Sequence, residues 1–263
     1  MDKAVPIFAQ TLDPLGLDVI PAGELTFDEL VGEYRARLTR SDGAIHINGM
    51  CVMAECRAAI LAAKEKNCGP IWVSWLCDEE GESPSRVQML AALFVAEGMG
   101  AAAFGIRCAA EDREDQLHIL EKYASVPLFY VDGESVICWP YTPADHDPDA
   151  LPCATGTAPC FVSRTVDVGE ELECTPNLLE NIIAAEDDPV GALKISLLER
   201  DDIDIFAQEQ YAVGKALCLW SDVPELMEQA LRVFQGRAFY DGTGDLEPAV
   251  LERLSKLYGL IIL

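Results

Sequence analysis

Basic residues are scarce in this sequence. Nineteen lysines and arginines stand against forty-five aspartates and glutamates, a formal charge of -26 over 263 residues. A surface of that sign repels phosphate backbones and anionic lipid, which argues against nucleic-acid and membrane-surface roles; its complement would be a basic partner. Long hydrophobic runs are missing as well. Stretches such as Ala101–Ile106 and Leu260–Leu263 fall far short of the ~20 residues that span a bilayer. The opening Met1-Asp2-Lys3-Ala4-Val5-Pro6 has neither the cationic flank nor the apolar stretch of a signal peptide. These absences point to a soluble cytoplasmic protein.

Histidine is rare too: three residues, scattered, with no His-x-x-x-His spacing and no nucleophile elbow, so a catalytic triad has no support. Ten cysteines are present but no Cys-x-x-Cys pair, which excludes a zinc ribbon or thioredoxin-type motif. In a long chain without an export signal they read as reduced thiols, mostly small buried hydrophobes.

What the chain does have is apolar residues, 50% of the total, and a regular alternation of β-type runs with amphipathic helices. Runs begin near residues 6, 44, 71, 102, 127, 217, 237 and 260. Thr26 caps the first helix, Ser83-Pro84 opens another, and Asp222 with Glu225 and then Asp245 read as later caps. The pattern breaks at about 133–168, an irregular insertion rich in proline. A further β-type run at 192–197 is set aside, which leaves eight strands. Eight strands alternating with helices predict an α/β fold, a single (β/α)8 TIM-like barrel domain over 1–263 with Leu260–Leu263 central in the sheet. A doubly wound open sheet is the alternative, weakened by the lack of a Gly-x-Gly-x-x-Gly turn.

Several segments, in order, resemble one family. They are Ala9–Gly16 followed by Pro21-Ala22-Gly23-Glu24-Leu25, then Ile47–Met50, Glu55–Ala59, Pro70–Ser74, Gly105–Cys108 and Pro127-Leu128. Over residues 6–135 the chain is similar to the homocysteine S-methyltransferase family, which includes the homocysteine-binding domain of cobalamin-dependent methionine synthase. The resemblance implies a barrel, a place in methionine biosynthesis, and methyl transfer from a folate- or corrinoid-linked donor to a thiol. In that family zinc held by three cysteines turns the substrate thiol into a thiolate.

The departures carry the functional expectation. Cys108 matches one zinc ligand, but the adjacent cysteine pair of the family motif is absent, so the zinc site reads as degenerate. Cys138, Cys153, Cys160, Cys174, His46 and His146 are the other donors that would have to rebuild it. Asn48 replaces the family's substrate-holding glutamate, Arg107 replaces an asparagine, and Asp132 follows the next strand. Asn48, Arg107 and Asp132 are therefore the expected substrate-binding residues, with an anionic ligand near Arg107. Two readings follow: a divergent thiol methyltransferase, or a non-catalytic barrel (a pseudoenzyme) partnering a corrinoid or methyltransferase protein. Asp132, Asp222 and Asp241, each after a strand, form a further candidate cluster at the functional rim.

Overall fold

The structure is a computed structural model and describes residues 6–16, 25–143, 147 and 149–263. The Pro21–Glu24 part of the family-like segment and His146 lie outside the described residues. The chain divides into two compact units, Met1–Asp145 and His146–Leu263.

In the first unit the strands β1 (Phe8–Leu12), β2 (Ala44–Met50), β3 (Ile71–Leu76), β4 (Ala103–Arg107) and β5 (Leu128–Asp132) pair in parallel in chain order. The helices α1 (Phe27–Arg37), α2 (Met53–Glu65), α3 (Met89–Gly98) and α4 (Arg113–Leu120) fill the connections. A monotonic strand order with right-handed crossovers puts all four helices on one face. A sixth strand, β6 (Ser135–Cys138), returns antiparallel against β5. Thr26 caps α1 as expected: its side chain and that of Glu29 close a reciprocal capping box.

The local expectations fail where a turn outcompetes a helix. Ser83-Pro84 does not start α3. The Ser83 N–H donates to the Val87 carbonyl, Glu82 bridges Gln88, and Arg86 takes a φ of 64°, so the segment is a closed turn. Helix α3 begins at Met89 and is buried from Met89 to Ala96, without the polar stripe that would mark its start.

In the second unit β9 (Val168–Glu173), β10 (Ala192–Ser196), β11 (Ala216–Trp220), β12 (Phe239–Tyr240) and β13 (Ile261–Ile262) also pair in parallel and in chain order. Helices α5 (Leu178–Glu186), α6 (Asp201–Glu209), α7 (Pro224–Val233) and α8 (Pro248–Tyr258) connect them. A hairpin, β7 (Leu151–Ala154) with β8 (Pro159–Val162), shares a core with the sheet through Cys153, Val162, Ala192, Ala216, Cys218, Phe239 and Ile261. The expected caps shift by a residue or two: α7 has Val223 and α8 has Glu247 at the N-cap. Asp222 instead accepts a bond from the Asp245 N–H.

The barrel expectation is therefore corrected. A closed barrel needs one continuous ring of ladders, whereas this α/β chain builds a six-stranded and a five-stranded sheet. The onward edge of β5 is taken by antiparallel β6, so no further parallel strand can join there. The run at 192–197, set aside on sequence, is a strand paired on both sides, and Leu260–Leu263 supplies an edge strand, not a central one. The supposed irregular insertion contains three short strands, β6, β7 and β8. Nor is either sheet doubly wound, since the strand order never reverses.

Candidate functional site

Side chains alternate across a strand. On one face of the first sheet this sets a row of rings across four strands: Phe8 stacks on His46 with centroids 5.0 Å apart, and Trp72 lies 5.0 Å from Phe129. Gly105 makes the row possible, because a Cβ there would stand 2.6 Å from the Phe129 ring. Towards the carboxyl ends of the strands the same face turns polar, with Ser74, Asn48 and Arg107.

The polar groups form one network. The Ser74 hydroxyl accepts from the Gly49 N–H at 2.8 Å, lies 3.0 Å from His46 Nε2, and donates to Asn48 Oδ1 at 3.3 Å. A hydroxyl has one proton and two acceptor positions. With Gly49 in one acceptor position and its proton on Asn48, Ser74 takes the His46 Nε2 proton in the other. His46 thus donates to Ser74 and is no base for it. Ser74 is fully buried and His46 nearly so, which also removes the pair from nucleophilic chemistry. Burial pushes the His46 imidazole down to about 4, with Asp13 opposing and Arg107 assisting, so it is neutral at pH 7.

Asn48 passes the network on. Its Nδ2 donates to Asp13 Oδ1 at 2.8 Å, which fixes the amide's orientation. Arg107 is held by a bond of 2.8 Å from Nη2 to the Gly133 carbonyl in the β5–β6 turn. Its side chain lies over Gly49, where a Cβ would sit 3.6 Å from Arg107 Cδ; Gly49 also takes a φ of 60°, which glycine adopts without strain. The site therefore presents one guanidinium, one oriented amide and, through Asp13, one exposed carboxylate.

Cys108 and Asp132 belong to the other face. Both are offset by one residue from side chains of the Arg107 face, and both are served by Arg113. The Arg113 guanidinium stacks on Tyr130 at 4.6 Å and reaches Asp132 at 3.4 Å. The neighbouring Cys77 thiol, with Arg113 assisting against burial, holds the Cys108 thiol below its ordinary value. The four expected residues thus split into two pairs: Asn48 with Arg107, and Cys108 with Asp132.

Zinc does not fit here. Two thiols fall short of the three or four ligands zinc takes, and among the described residues no group of three His, Cys, Asp or Glu side chains is placed to hold a metal ion. The three aspartates proposed from sequence likewise each have a local partner: Asp132 has Arg113, Asp222 has the Asp245 N–H, and Asp241 has Lys194 and Thr243.

Lys194 is the residue that sequence reasoning missed. It sits on β10 with its side chain 12% exposed, 3.0 Å from Asp241 Oδ2 and 2.9 Å from Thr243 Oγ1, over the Trp220 ring. A lone lysine inside an otherwise apolar run, Ala192-Leu193-Lys194-Ile195, was the available signal.

No protein-family model matches the chain, and no curated protein matches it. Among solved structures, the chain is similar to a C2-type ketoreductase from a modular polyketide synthase, at 11% identity and a TM-score of 0.28, over 97% of this chain and 67% of that one. It is also similar to the first ketoreductase of the tylosin polyketide synthase, at 10% identity and a TM-score of 0.27, over 96% and 68%. Likeness at that level carries no argument about activity. No model of the homocysteine S-methyltransferase family matches, and the strands do not form its barrel. The chain is not assigned to that family. The methyltransferase activity, the methionine-biosynthesis role and the partner-subunit alternative inferred from the resemblance are withdrawn with it. No helix among the described residues is long and apolar enough to cross a membrane.

Proposed function

We propose that the chain is a binding protein for a small anionic molecule, a carboxylate or phosphate, taken up at the carboxyl ends of β2–β4 by Arg107 and Asn48. The observation that carries this reading is Arg107 itself. In a chain of net charge -26, an arginine is held at a strand end by a backbone carbonyl and a glycine platform, not by a carboxylate among the described contacts. A guanidinium fixed by one of its N–H groups keeps the others for a carboxylate or phosphate in fork geometry. Asp13 beside Asn48 adds a place for a cationic group on the same ligand. A cytoplasmic location fits ten cysteines that are all free thiols.

Calorimetric titration of the full chain with a panel of small carboxylates and phosphates tests the proposal. A ligand that binds should weaken about tenfold to a hundredfold in Arg107→Ala, the cost of one charge-assisted pair. Arg164→Ala, an exposed arginine in the second unit, should leave it unchanged. Equal loss in both variants, or no binding to any anion, overturns the reading.

A further inference from the structure

Cys77 and Cys108 are 31 positions apart in sequence yet directly opposed in space. The β3–β4 register pairs Leu76 with Arg107, and the Cys77 N–H then donates to the Arg107 carbonyl at 3.1 Å, so the next residues on each strand stand side by side. Neighbouring strands lie about 4.8 Å apart, inside the Cα separation that a disulfide spans. Placed side by side, the two thiols perturb each other, Cys108 being held down and Cys77 pushed up. Cys77 also lines a cavity of about 420 Å³ with Asp78, Glu82, Ser83 and Arg86, and Cys108 is only partly buried, so small reagents have a way in.

The other opposed pair makes a useful contrast. Cys153 and Cys160 are register partners in the β7–β8 hairpin. Cys160 Sγ, however, turns to the Ala158 carbonyl, and Cys153 is sealed in the core.

We propose that Cys77 and Cys108 form a reversible disulfide, a redox-modifiable site at the ends of β3 and β4. The oxidant is a hydroperoxide. The Cys108 thiolate, beside the Arg113 guanidinium, attacks one peroxide oxygen; an S–O bond forms, the O–O bond breaks, and the departing oxygen leaves as water after protonation. The Cys77 sulfur then attacks the Cys108 sulfenic sulfur. The S–S bond forms, the S–O bond breaks, and the leaving hydroxide departs as water with the Cys77 proton. Two thiols give up two electrons, and one hydrogen peroxide becomes two waters. A dithiol reductant reverses the change. The new bond sits one residue beyond Arg107, yet the site does not depend on the ligand proposal.

The test uses the full chain, reduced and then exposed to hydrogen peroxide, followed by alkylation of the remaining thiols and peptide mass mapping. The free-thiol count should fall from ten by two. The new cross-linked species should join the peptides of Cys77 and Cys108, and dithiothreitol should restore both thiols. Cys108→Ser should abolish the cross-link, while Cys68→Ser should leave it in place. Because the main readout uses the unaltered chain, a folding defect in a variant does not obscure it. Failure of the two peptides to cross-link, or a 153–160 bond forming ahead of the 77–108 bond, overturns the proposal.

Discussion

Removing either partner of the Lys194–Asp241 pair should destabilise the second unit, and unequally. Both side chains are 12% exposed, so little water remains to solvate a charge left behind. Breaking a pair at that depth costs about 3–5 kcal/mol when the orphan has no other partner. After Asp241→Ala, Lys194 keeps only Thr243 Oγ1 and the Trp220 face, and the Thr243 N–H loses its acceptor; the cost should approach the upper end. After Lys194→Met, Asp241 still accepts two bonds from Thr243, at 3.0 and 2.7 Å, so about 1–3 kcal/mol is expected. The double variant should fall short of the sum by at least about 1 kcal/mol. Burial alone would raise the Asp241 carboxyl, but Thr243 and Lys194 outweigh it and hold it below its ordinary value. The sign follows: that stability is present above about pH 4 and is lost as pH falls through the lowered value, and Asp241→Asn should remove the dependence. Urea unfolding followed by tryptophan fluorescence measures all of these. Single variants within about 0.5 kcal/mol of wild type, or an additive double, would refute the reasoning.

Two further outcomes are expected in the first unit. Gly105→Ala forces a methyl group to 2.6 Å from the Phe129 ring and its carbonyl, and should cost about 1–3 kcal/mol in thermal or urea unfolding. In NMR titration the His46 ring should stay neutral between pH 8 and 5, while exposed His118, raised by its bond to Glu121, should titrate above the ordinary histidine value. The His46 contribution to stability is complete above about pH 6.5 and is lost as pH falls towards 4, because only the unfolded chain takes the proton in that window.

The sequence made the elements legible but not their closure. β1 to β5 and β9 to β13 are each wound in one direction, as consecutive barrel strands are. Hydrophobic alternation reports that winding and carries no information about which edges meet. Closure was decided by short pieces with weak periodicity. Ser135–Cys138 is four residues long, yet its antiparallel pairing occupies the edge that a barrel would need. Val168–Glu173 is mostly polar at an edge and did not read as a strand. Ala192–Ser196, left out of the eight-strand reading, pairs with a strand on each side.

The site was legible by position and illegible by face. Arg107, Cys108 and Asp132 lie at or just beyond strand ends and Asn48 near the end of β2, and strand ends could be read from the runs before them. A strand reverses its side chain at every residue, however, so adjacent Arg107 and Cys108 must point to opposite faces of the sheet. That alternation alone separates an arginine over Gly49 and near His46 from a thiol beside Cys77 and Arg113. It follows that the two candidate activities can be perturbed independently. Oxidation acts on the Cys77–Cys108 face, and Arg107→Ala acts on the Ser74–Asn48 face. Two routes join the faces: the peptide between residues 107 and 108, and the chain of contacts from Cys108 through Arg113 and Asp132 to Gly133, whose carbonyl holds Arg107.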